Sequence, residues 1–323
     1  MRDMHGREIE YVRLSITDRC NLRCVYCMPE GGVQTLRHEE LLSFEEIVRL
    51  LRVMTGLGIR AVRLTGGEPM ARRGCLTLAK MIRDIPDISH LAMTTNGILL
   101  KARVQEAADA GIDRLNISLD TLDAETYRRM TRGGDVADVL AVIREAADRG
   151  LKVHINAVPV RGVNDASLVQ LAALARDLPL DVRFIELMPV GYGKALSPVP
   201  TEDVRAAIEK AFGPLAPDPA PHGMGPAVYG KPAGFQGSVG FIGAVSHAFC
   251  DGCNRIRVTP EGILKLCLNH REGVDLRALL RCGASDAEIE EAVRQAVLRK
   301  PENHGFGEQV EDPEFRRMNQ IGG

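Results

Sequence analysis

The sequence predicts an α/β protein whose main body is an incomplete (β/α)6 barrel, followed by a C-terminal extension. Three observations carry this expectation. Strand-like and helix-like segments alternate through the first two-thirds of the chain. A helix end, a glycine and a strand recur as one phrase at Gly58, Gly111 and Gly150. The chemically unusual residues follow successive strands, on the face where parallel barrels build their sites.

Strands are expected near 11–16, 61–65, 90–94, 113–118, 152–158 and 182–187. Between the first two, "SFEEIVRLLRVMTGLG" starts a helix. Ser43 is its N-cap and Glu46 completes a capping box, while Leu42 and Ile47 are spaced as a hydrophobic staple. Ile47, Leu50, Leu51 and Met54 then recur with helical period. Gly58 stands where a helix C-cap glycine would, and "RAVRLTGG" continues as a strand. "DAGIDRLNISLD" and "DRGLKVHINAV" repeat the arrangement. Closed eight-unit barrels take about 250 residues, whereas this repeat fades near residue 212. From 213 to 240 glycine and proline dominate, which reads as a link into a second region with a helix near 285–299. The expected division is 1–212 for the barrel and 213–323 for the extension.

Hydrophobic residues are 45% and charged residues 26% of the 323, as in ordinary globular proteins. Forty-one basic against 43 acidic residues, with 4% aromatics, exclude an extended nonspecific nucleic-acid surface. The chain has no apolar run of membrane-spanning length and no signal-peptide core, so a cytoplasmic protein without a membrane partner is expected. Six of the eight cysteines form two triads, Cys20, Cys24, Cys27 and Cys250, Cys253, Cys267. In a reducing compartment such clustering points to metal binding. Cys75 and Cys282 stand alone and read as structural thiols.

The first triad lies in "DRCNLRCVYCMPE", directly after the first strand. Three thiolates hold three irons of a cubic iron–sulfur cluster and leave the fourth iron open for a small molecule. A structural zinc site is the rival, and it needs a fourth ligand, with His5 or His38 the candidates. "TGGEP", "TTNG" and "SLD" follow the next three strands. For the second triad, in "FCDGCNRIRVTPEGILKLCLNH", zinc completed by His247 or His270 stays open on spacing alone. Arg255 and Arg257 alternate on one strand face between the ligands, a fork pair suited to phosphate.

The CxxxCxxC pattern with Tyr26 before its last cysteine, together with "GGEP", resembles the signature of the radical S-adenosylmethionine (SAM) superfamily. Further stretches, "VRLTGGEP", "TTNG", "RFIELMPVG", "GPAVY", "FCDGCNRIRV" and the terminal "IGG", resemble its GTP 3',8-cyclase family over nearly the whole chain. The resemblance implies two [4Fe-4S] clusters, one on Cys20, Cys24 and Cys27 and one on Cys250, Cys253 and Cys267. It implies SAM contacts at Tyr26, Gly67, Ser118 and Met188. GTP contacts are implied at Arg13, Arg63, Thr94, Arg255 and Arg257, with Arg183 a further one. No side chain is assigned as an acid–base catalyst. In that family a 5'-deoxyadenosyl radical removes the 3' hydrogen of GTP and the ribose radical closes onto guanine C8, the first step of molybdenum cofactor biosynthesis. A flavodoxin-like or ferredoxin-like reductant, a homodimer, and delivery of the product to cyclic pyranopterin monophosphate synthase go with it.

Gly66 and Gly67 read as allowing backbone carbonyls close to a ligand ammonium, and Gly322 and Gly323 as a tail entering the site. Two positions depart from the family pattern: His154 replaces a usual lysine, and Ala61 stands where a basic residue is frequent. Both remove fixed charge near a triphosphate, so weaker GTP binding is expected. Two other readings account for part of this pattern, a radical SAM enzyme acting on a peptide or another substrate and a zinc-stapled nucleotide-binding or regulatory protein.

Overall fold

The computed structural model describes residues 1–306, 314 and 316–322. Among the described residues, twelve strands form one sheet: β1 (Tyr11–Ser15), β2 (Ala61–Thr65), β3 (His90–Thr95), β4 (Arg114–Ser118), β5 (Lys152–Ala157), β6 (Asp181–Ile185), β7 (Ala216–Pro217), β8 (Val228–Lys231), β9 (Val239–Ile242), β10 (Arg255–Val258), β11 (Ile263–Lys265) and β12 (Gly273–Asp275). Their order is β12-β11-β10-β1-β2-β3-β4-β5-β6-β9-β8-β7. β1 to β6 are the six parallel strands of an incomplete barrel, each within two residues of its expected bounds.

Local rules explain the frame. Ser43 accepts from the Glu46 amide while Glu46 reaches back to the Ser43 amide, starting the helix Phe44–Gly56 as the capping box predicts. Gly58, Gly111 and Gly150 have φ of 100°, 82° and 75°, a left-handed conformation that glycine enters without steric cost. Alternate strand residues such as Val12, Leu14, Val62, Leu64, Ile155 and Val182 are buried in the apolar layer beneath the helices. The intervening residues face the lumen.

The Gly/Pro-rich stretch read as a link is in fact part of the sheet. β9 pairs parallel with β6, and β8 and β7 complete an antiparallel edge. A Cβ on Gly237 would lie 1.7 Å from the Leu180 carbonyl, so glycine is what lets the chain turn in beside β6. On the other side β10 pairs parallel with β1. Two strands from the extension thus lengthen the parallel run at both ends.

Candidate active site

Strand register places the two triads at opposite ends of one lumen. Cys20, Cys24 and Cys27 follow β1. Cys253 precedes β10, which runs parallel to β1 with Tyr11 opposite Arg255 and Arg13 opposite Arg257. Five strand residues at about 3.3 Å each separate the ends by roughly 16 Å. All six cysteines are free thiols and line one cavity of about 310 Å³. Among the described residues no three Cys, His, Asp or Glu side chains are arranged to hold a single metal ion. In a cubic cluster each thiolate meets a different iron. His5, His38, His247 and His270 do not line the cavity.

At the first end, the "GGEP" loop is clipped to the cysteine loop: the Gly67 amide donates to the Thr17 carbonyl (2.7 Å) and the Glu68 amide to the Arg19 carbonyl (2.8 Å). A Cβ on Gly66 would lie 2.6 Å from the Thr17 carbonyl, and one on Gly67 would lie 2.4 Å from that of Arg19. The glycines are therefore required by loop-to-loop packing, a reason the sequence reading had not supplied. Glu68 accepts from the Met70 and Asn96 amides and the Thr95 hydroxyl. Burial nevertheless pushes its pKa up to about 7. The Tyr26 hydroxyl donates to Asp120 (2.8 Å), whose pKa burial lifts to about 6. Burial raises Cys20 and Cys24 above the usual thiol range and Cys27 to about 12. Tyr26, Gly67, Ser118 and Met188 all line this part of the site.

The arginines occupy the lumen between the ends, on β1, β2, β6 and β10. Arg13, Arg63, Arg183, Arg255 and Arg257 all line the cavity, as does Thr94. Burial first, then the neighbouring cations, lowers the pKa of Arg13 and Arg63, and that of Arg257 to about 10. Arg183 is held by Asn116 (2.6 Å) and Asn156 (2.9 Å). The Nε atoms of Arg63 and Arg255 and the Thr94 hydroxyl are buried without a hydrogen-bond partner. Converging cations with spare donors fit a polyanion.

Around the second triad, burial raises Cys250. It would also raise Cys253, but Lys300 and Arg255 more than offset it, and that thiol falls below its usual range. The tail returns to the first end. Arg257 donates to the Gly322 carbonyl (2.8 Å), Asn319 donates to the Asp18 carbonyl (3.0 Å), and a Cβ on Gly322 would meet Ser15 at 2.8 Å. Gly323 lies outside the described residues. The sequence reading missed Lys300, His304 and Asn319, all of which line the cavity. They follow no motif, and only tertiary contact gives them a place.

His154 lies beneath the cavity, outside its lining. It is buried, with Nε2 3.1 Å from Asp181, which also binds His222 at 2.7 Å. Burial, then Arg183, lowers its pKa to about 3, so it is neutral at physiological pH.

Comparison with known proteins decides the family. Residues 14–175 match the radical SAM superfamily and residues 180–306 match the family Molybdenum Cofactor Synthesis C. A GTP 3',8-cyclase of Clostridium perfringens is 42% identical over the full length of both chains. Those of Pelotomaculum thermopropionicum and Moorella thermoacetica are 45% and 44% identical, again over all of both chains. The chain belongs to the GTP 3',8-cyclase family. Streptococcus suis SuiB bound to S-adenosylmethionine shares the radical SAM fold of that family, with a TM-score of 0.63 at 15% identity over 91% of this chain and 72% of its own. GTP 3',8-cyclase relatives thus match end to end, including the segments that hold both triads.

Proposed function

We propose that this chain is a GTP 3',8-cyclase, converting GTP to (8S)-3',8-cyclo-7,8-dihydroguanosine 5'-triphosphate in the first step of molybdenum cofactor biosynthesis. One observation carries the reading: both triads, the SAM-side residues and the arginine set predicted from the sequence line one continuous cavity. Residues 1–212 provide the SAM end and 213–323 the second cluster.

Cys20, Cys24 and Cys27 would hold one [4Fe-4S] cluster, which when bound together with SAM would supply the primary carbon radical chemistry needed at the 3' position of GTP. Gly67, Ser118, Met188 and the Tyr26 segment hold SAM, and buried Glu68 offsets the charge of its ammonium. Arg13, Arg63, Thr94, Arg255 and Arg257, aided by Arg183, bind and orient the triphosphate, whose several charges need several forks in a shielded site. Cys250, Cys253 and Cys267 would hold the second cluster, at the end of the cavity that would take the guanine base. The tail through Asn319 and Gly322 covers the first end and keeps water from the radical.

Such an enzyme needs an external one-electron donor of flavodoxin or ferredoxin type and hands its product to cyclic pyranopterin monophosphate synthase. We place it in the cytoplasm as a homodimer; no helix of the described residues is long and apolar enough to cross a membrane. The test is incubation without oxygen with GTP, SAM and dithionite. Formation of 5'-deoxyadenosine and cyclised GTP in step is expected, and 5'-deoxyadenosine without any GTP-derived product would contradict the reading.

A further inference from the structure

The second triad is wrapped by a segment that no sequence motif marks. Residues 300–306 leave the helix Asp286–Leu298 and pass beside Cys250 and Cys253. Lys300 is 3% exposed and lines the cavity. Its ammonium donates to the Arg255 carbonyl (3.1 Å) and to the Leu266 carbonyl, groups close in sequence to Cys253 and Cys267. It lies near enough to Cys253 and Cys267 that their charges favour its ammonium and its own charge lowers the pKa of Cys253. The His304 amide donates to Cys250. Arg7 fastens the segment, donating to the carbonyls of Cys250 (3.0 Å), Glu302 (2.7 Å) and Pro301 (2.7 Å) while Asp3 holds its Nε at 2.6 Å.

Among the described residues the hydrogen-bond partners of the Lys300 ammonium are thus two carbonyls, with no carboxylate among them. A buried cation is costly unless an anion offsets it, and among the described residues the anionic groups beside it are the thiols of Cys253 and Cys267 once deprotonated. We infer that Lys300 is a positioning residue for the second iron–sulfur cluster, a fixed positive charge at Cys253 that raises the reduction potential of that cluster above what its cysteines alone would give. The inference rests on the proposal of a cluster at this triad. One electron from the external reductant takes the cluster core from 2+ to 1+ with no bond made and no proton moved. The added negative charge is stabilised by the neighbouring ammonium, since hydrogen bonds and net charge near the sulfurs set such potentials.

The experiment is a dithionite redox titration of the anoxic protein, following both clusters by EPR, on wild type, Lys300→Met and Lys300→Gln, with iron counted in each. In both variants the reduced-to-oxidised ratio of the second cluster at fixed potential is expected to fall about tenfold, or about 59 mV for one electron. The first cluster serves as internal control and stays unchanged. An unchanged ratio in both variants, or a fall in Lys300→Met alone, overturns the assignment to charge. Should both variants misfold and lose the first cluster too, wild type grown with 15N-lysine decides. Lys300 is the one lysine among the described residues lining the cavity, so the reduced second cluster must show a lysine nitrogen coupling, and its absence overturns the inference. Wild type with iron for a single cluster would overturn the underlying reading and this inference with it, whereas two clusters with an unmoved potential would sink the inference alone.

Discussion

Burial raises the pKa of all three thiols Cys20, Cys24 and Cys27, and the buried carboxyls of Glu68 beside Cys20 and Asp120 beside Cys24 raise those two further. Cys250, Cys253 and Cys267 instead meet Arg255, Arg257 and Lys300, and Cys253 is held below its usual range. Two cysteine triads thus sit at the two ends of one lumen, one beside buried carboxyls and the other beside buried cations. The proposed ligands explain the difference: SAM brings a sulfonium and an ammonium to the acidic end, and GTP brings a polyphosphate to the basic one. On this proposal, charge complementarity in a low-dielectric cavity sorts the two molecules before any chemistry begins.

Deleting a ligand at either end gives the largest effect. Cys24→Ala is expected to lose about four of roughly eight irons and to form no 5'-deoxyadenosine. Cys253→Ala should lose a similar share of iron yet still cleave SAM, without GTP-derived product. Iron assay and product chromatography check both, and equal loss of SAM cleavage in the two would erase the distinction between the ends.

Next in size is Arg63→Met. Truncating one partner in a buried charged contact costs about 2–5 kcal/mol, so GTP affinity should fall roughly 30-fold or more while SAM affinity holds. Asp120→Asn is its mirror image. Weakening the support of Tyr26 should loosen SAM by about tenfold or more, given roughly 1.5–3 kcal/mol for a hydrogen bond to a charged group, with GTP binding unmoved. Calorimetry with each ligand reads both variants.

The smallest effects concern the floor. Restoring a cation with His154→Lys is expected to tighten GTP by less than about tenfold, since the new charge would share Asp181 and lie outside the cavity lining. Unaltered affinity would show that this position does not reach the triphosphate. His154 itself titrates at about 3 when folded against an ordinary value of 6.5. Its depressed pKa means the unfolded state takes up the proton first as pH falls. Stability is therefore fully present above pH 6.5 and is lost towards pH 3. Urea midpoints across that window should fall further for wild type than for His154→Gln.

What could be read from the sequence follows the range of the physics involved. The helix Phe44–Gly56 was legible because its cap, staple and period lie within a few residues. The first triad was legible because its spacing is local, and the pairing of Arg255 with Arg257 on one face because they alternate within one strand. Pairing of β9 with β6 and β10 with β1 was not legible, since both are short strands recruited across 50 to 240 residues and one is reached through a Gly/Pro-rich stretch. Lys300 reads in sequence as an ordinary solvated lysine after a helix. Only Arg7, some 290 residues away, and the carbonyls beside two cysteines turn it inward.

The most direct measurement is EPR of the reduced, anoxically purified protein during separate titrations with SAM and with GTP, the two signals assigned through Cys24→Ala and Cys253→Ala. SAM should perturb only the signal lost in Cys24→Ala, and GTP only the signal lost in Cys253→Ala. A GTP titration that leaves the second signal unmoved, or shifts the first instead, would contradict the division of the cavity into an acidic SAM end and a basic GTP end.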